Sequence, residues 1–148
     1  MTTTCRLRGF TLVEMLVTIL ILGMLLAMSV PALQKSGRMQ QLRGSSETIA
    51  GQLRMAREKA IATGRTQIMH FTMNYPPGSE WDYHIHNATV EAGWALPRGV
   101  SWYARPSSVD FSKDGTVDNH GYNLIVVQNA VGKRDTVVIQ PSGLVITR

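Results

Sequence analysis

Glu14 is the one charged residue between Arg8 and Lys35, and it interrupts the start of an apolar run that continues to Leu33. A carboxylate at the centre of a bilayer costs about 2.5–3.5 kcal/mol on insertion scales. A chain that keeps one there is expected to pair it with a positive charge. Two other groupings have residue types suited to ligand chemistry. His84 and His86 in "YHIHN" fall on one face of a strand, a spacing that metal sites use. No third ligand is indicated from the sequence, where His70 and His120 stand far off, so exposed strand histidines are the expectation and no metal is assigned. In "DFSKDGTVDNHG", Asp110, Ser112 and Asp114 precede Gly115 as in the opening of a calcium loop. The closing bidentate position of such a loop falls on Gly121, so a hairpin turn is expected instead.

Other candidates are weaker. "NAT" at Asn87–Thr89 has the letters of a glycosylation sequon, a pattern that occurs often by chance. Trp81, Trp94 and Trp102 are expected in the core or at subunit contacts rather than as a ligand platform. No nucleophile–base pair, phosphate loop or metal triad stands out, so catalytic residues and cofactors are expected to be absent.

Positioning these residues falls to a chain of 148 residues with 44% hydrophobic and 17% charged content. That composition excludes global disorder and suggests one folded domain beyond any membrane segment. Met15 to Leu33 carries no charge, and as a helix it would extend roughly 28 Å, enough for a hydrocarbon core. "LAMSVPA" could pass for the cut site of a secretory signal, but Glu14 argues against that reading. The single cysteine, Cys5, excludes an intrachain disulfide, so packing alone must hold the fold. The net charge of +5 is concentrated in residues 35–65, where seven bases meet two acids. The remainder, from Thr66 onward, is close to neutral.

Beyond Pro31, which is expected to kink or end a first helical piece, the pattern becomes amphipathic. Met39, Leu42, Ser46, Ile49, Leu53, Ala56 and Ala60 recur in steps of three and four and draw one stripe along a helix. Arg38, Arg43, Arg54 and Arg57 lie off the stripe. Gly64 is the expected stop. The period then changes to two, and seven segments read as short strands: "TQIMHFTM", "WDYHIHNA", "GVSWYAR", "SVDFS", "YNLIVVQN", "RDTVVIQ" and "LVIT". Turn-forming clusters separate them. The expected product is an α+β fold: a long helix covering one antiparallel sheet with the Met39–Ala60 stripe.

"RGFTLVEMLVTILILGMLLAMSVPAL" resembles the class III leader and first helix of type IV pilins and type II secretion pseudopilins. The basic leader, Gly9 before the cut, Phe10 after it, Glu14 and the later Pro31 carry the likeness. Further on, "LRMAREKAIATGRTQIMHF", "ALPRGVSW", "VDFSKDGTV" and "DTVVIQPSGLVITR" resemble the minor pseudopilin H family, which includes minor pilins of the fimbrial T and U kind. The resemblance implies a pilin-like organisation: a leader over 1–9, a transmembrane helix half over 10–33, an amphipathic half over 34–64 and a β-rich periplasmic head over 65–148. It also implies cleavage after Gly9 by a prepilin peptidase, N-methylation of Phe10, and a filament-assembly role for Glu14 beside a neighbouring subunit's amine. The implied partners are that peptidase and methyltransferase, other major and minor pseudopilins, an inner-membrane assembly platform and membrane lipid. Some fimbrial-T-like relatives bind DNA through a C-terminal arginine-rich segment. This chain has Leu144 and Ile146 there, so DNA is not an expected partner, and a filament-lining or lipid-facing role is expected for the basic helix.

Overall fold

A computed structural model describes residues 10–73, 75, 77–86, 90–118 and 124–148, without the side chains of 28, 30–32, 90 and 91. Helix α1 spans Leu12–Thr63 and its assignment runs unbroken through Pro31. The chain divides into two compact units, Met1–Gly37 and Arg38–Arg148.

In the first unit, α1 begins on a cap that the residues dictate. The Thr11 hydroxyl accepts the Glu14 backbone N–H at 3.2 Å, and the Met15 N–H reaches the Thr11 carbonyl at 3.2 Å. Thr11 is therefore the N-cap, and Glu14 stands three residues into the helix, where a carboxylate complements the positive end of the dipole.

In the second unit the helix ends where glycine permits a left-handed turn, at Gly64 with φ of 63°. Among the described residues eight strands follow: β1 (Gln67–His70), β2 (Tyr83–His86), β3 (Val90–Trp94), β4 (Val100–Ala104), β5 (Ser108–Phe111), β6 (Leu124–Asn129), β7 (Arg134–Ile139) and β8 (Val145–Thr147). They form two four-stranded antiparallel sheets instead of the single sheet expected, ordered β3-β2-β1-β5 and β4-β6-β7-β8. The expected strand segments are all present, and β3 is additional. Its "VEAGW" lacks alternation and contains Gly93, a poor strand former. Pairing with β2 and the Trp81 ring lying over Gly93 hold it.

Leu42, Ile49, Leu53, Ala56 and Ala60 are buried as the stripe required, in one cluster with Met69, Phe71, Tyr83 and Phe111 of the first sheet and Ile125, Val127, Val137 and Ile139 of the second. Ser46 of the stripe is also buried, bonded to the Asp135 carboxylate. Met39 departs from the expectation; at 36% exposed it lies outside the core. Trp94 and Trp102 pack against the core, as expected of them.

The polar margin of the helix is bonded to the head. Arg54 donates to the Val145 carbonyl at 3.0 Å, while Arg57 donates to Gly115 O at 3.0 Å and Ser142 O at 3.3 Å. Thr147 adds a bond to Glu47 at 2.9 Å. Half of the off-stripe arginines therefore tie the helix to its own head. Backbone carbonyls at turns lack ladder partners, and a guanidinium fork can satisfy two of them at once. Val117 bridges to Phe111 and donates to Pro141 O at 3.0 Å, linking the turn after β5 to the turn before β8.

Candidate functional site

Two regions hold the chemistry. The first is the start of α1. Phe10 is 72% exposed, and the large apolar side chains from Leu12 to Leu26 are likewise exposed around the whole helix. A helix apolar all round is not built to face water; it needs lipid or other helices. Among the described residues, no helix is long and apolar enough to cross a membrane. The apolar run of the sequence includes Met28, Val30, Pro31 and Ala32, whose side chains are outside the described ones. Gly9, the residue before the expected cut, is outside the described residues as well. The Thr11 cap was missed from the sequence, though its signal was there. Thr-x-x-Glu ahead of an apolar run is a helix-start signature.

The second region is the outer face of the first sheet. Tyr83 and Ile85 of β2 turn into the core, so His84 and His86 turn out. Register places His70 opposite His84 and Ile68 opposite His86. The His70 ring stacks on His84 at 5.3 Å between centroids and meets His86 edge-on at 5.8 Å. Tyr75 stacks on the same His84 at 4.9 Å. The expectation that His70 is distant is therefore wrong, because sequence spacing carries no information about which strands pair. His84 is not exposed either. It is 2% exposed, and its Nδ1 is without a hydrogen-bond partner. His70, Thr72, Tyr75, His84 and His86 line a cavity of about 400 Å³.

Burial lowers the proton affinity of His84 below the ordinary histidine value, with His70 and then His86 adding to the effect. Burial and then His86 do the same for His70, while the Asp110 charge pulls in the opposite direction. Both rings are thereby biased toward the neutral form. As the rings stand, no group of three or more His, Cys, Asp or Glu among the described residues is disposed to hold a metal ion.

The remaining candidates resolve briefly. Ser112–Gly115 forms a turn closed by the Gly115 N–H to Ser112 O at 2.8 Å. The Asp114 carboxylate accepts Thr116 N–H at 3.1 Å and Thr116 Oγ1–H at 2.7 Å, and those bonds hold its carboxyl below the usual range. Gly121, His120 and the Asn87–Thr89 sequon lie outside the described residues.

Residues 6–30 match the prokaryotic N-terminal methylation motif. No curated protein matches the chain. The structure is similar to the type IV minor pilin FimU of Pseudomonas aeruginosa strain PAO1, with a TM-score of 0.51 and 14% identity over 72% of this chain and 92% of that one. The fold is thus type IV pilin-like, a long N-terminal helix followed by an antiparallel head. Motif and fold together support the type IV pilin-like superfamily.

Proposed function

We propose that the chain is a minor pseudopilin of a type II protein secretion system, helping to initiate or cap a periplasmic pseudopilus. The observation that carries this reading is the joining of a methylation motif over residues 6–30 to a pilin-like head. A prepilin peptidase cuts after Gly9 on the cytoplasmic face, and the new Phe10 amine is N-methylated. Residues 10–33 anchor the protein in the inner membrane by a single pass, with the head in the periplasm. The all-round apolar surface from Leu12 to Leu26 supports that anchor. Glu14 then lies one helical turn from the mature amine, and in a filament it pairs with the amine of an adjacent subunit. A buried carboxylate is tolerable when paired, and stranding it costs several kcal/mol. Partners are the processing enzyme, other pseudopilins, the assembly platform and lipid; no catalytic role is assigned.

A second reading, a minor pilin that primes a type IV pilus, has the FimU likeness in its favour. Two measurements test the proposal. Mass spectrometry of the mature protein is expected to find N-methylated Phe10 as the first residue, and an intact Met1 terminus beside an active peptidase refutes the processing step. Deleting the gene is expected to abolish export of the host's secreted proteins and to leave pili intact. Loss of pili with normal export selects the pilus reading.

A further inference from the structure

The histidine face of the first sheet has no part in the anchoring and processing proposed above, and it brings three imidazoles together on one face. His70, on β1, is the direct cross-strand neighbour of His84, and His86 is two residues along the same face of β2. Buried polar atoms are almost always satisfied, and leaving one bare costs about 1–3 kcal/mol. His84 nevertheless keeps Nδ1 unpartnered at 2% exposure, beneath a cavity of about 400 Å³.

We propose that His70, His84 and His86 bind a divalent first-row transition-metal ion of the zinc or copper kind, with the three imidazoles as ligands and the cavity holding the ion's remaining coordination position.

Ring spacing supports this. With metal–nitrogen bonds of about 2.0–2.1 Å and tetrahedral angles, the centroids of two ligating imidazoles stand roughly 5 Å apart. The observed separations of His70 from His84 and His86 are 5.3 Å and 5.8 Å. The rings now lie stacked and edge-on, so their lone pairs do not converge. His84 is held between the His70 and Tyr75 rings, so convergence requires Tyr75 to move off His84 and the imidazoles to turn about the terminal torsion. Imidazole donors favour zinc, copper and nickel over calcium or magnesium. Asp110, opposite Ile68 on β5, has a carboxylate oxygen without a partner, and its charge is felt at His70. A carboxylate there can orient the His70 ring from its far nitrogen, as outer partners of metal-bound histidines do.

The test is calorimetric titration of the untagged full chain in detergent with Zn²⁺ at pH 7.5, in a Cys5→Ser background that removes the thiol. One ion per chain is expected. His70→Gln and His86→Gln are each expected to weaken binding by at least about tenfold, because each removes one of three ligands. His120→Gln is expected to leave it unchanged. Both key substitutions are at half-buried positions on the outer face, and unchanged far-UV circular dichroism verifies their fold. Replacing Zn²⁺ by Co²⁺ supplies an independent readout, an intense visible band typical of low-coordinate cobalt that both variants lose. Absence of saturable binding overturns the proposal. So does wild-type affinity in both His70→Gln and His86→Gln, or loss confined to His120→Gln.

Discussion

Gly143→Ala adds one methyl at a buried turn and should cost as much as a typical core truncation. The Gly143 backbone has φ of 78°, where an L side chain is strained by about 1–2 kcal/mol. A Cβ there would lie 1.9 Å from the Gly115 carbonyl oxygen, 2.6 Å from Arg57 Nε and 3.0 Å from Arg57 Cδ. A backbone oxygen cannot swing aside like a side-chain tip, so the two turns must part. Arg57 spans them through bonds of 3.0 Å and 3.3 Å, and losing charged hydrogen bonds costs about 1.5–3 kcal/mol. The combined loss is about 2.5–5 kcal/mol. Gly115→Ala supplies an internal control. Its φ is 81°, but the nearest atom to a new Cβ is Ile61 Cδ1 at 2.6 Å, the end of a flexible, exposed side chain. It should cost less, about 1–3 kcal/mol. Urea unfolding of a fragment beginning at Lys35 measures both. Arg57→Leu should cost less on the Gly143→Ala background than alone, because the bonds it removes are already broken. A Gly143→Ala loss below about 1 kcal/mol, or a larger loss for Gly115→Ala, refutes the account of two turns locked on one arginine.

Three further outcomes follow from the same structure. Leu53→Asp places an unpaired charge at a site with no exposure and should unfold the Lys35 fragment, so a melt matching the parent would show that the stripe does not face the sheets. Glu14→Leu and Glu14→Gln should leave the level of processed protein unchanged while crosslinking to other pseudopilins and export fall together, and normal assembly of either removes charge pairing as the role of Glu14. Because His70 and His84 bind protons more weakly folded than unfolded, the unfolded chain takes up more protons below pH 6.5. The stability they contribute is complete above that value and is lost as pH falls toward their folded values; His70→Gln should flatten that slope in urea midpoints taken between pH 7.5 and 5.

The helix stop at Gly64 was legible because it is local, and the Thr11 cap on Glu14, though missed, has an equally local signal. The stripe from Leu42 to Ala60 was legible for the same reason, since a helix fixes which side chains share a face before anything packs against it. Alternation likewise located seven of the strands. What alternation does not specify is the partner of each strand. "VEAGW" became β3 because β2 offered it hydrogen bonds and Trp81 covered Gly93. β5 joined β1, whereas β4 joined β6, and one expected sheet became two. The histidine face and the Arg57 clasp arise from these choices. His70 and His84 are adjacent only once β1 and β2 have paired, and Gly115 and Ser142 reach Arg57 only when turns from both sheets close on the helix. Local sequence sets periodicity and caps; long-range pairing is decided by which closures bury the apolar faces and leave no ladder hydrogen bond unmade, and only the folded chain satisfies those together.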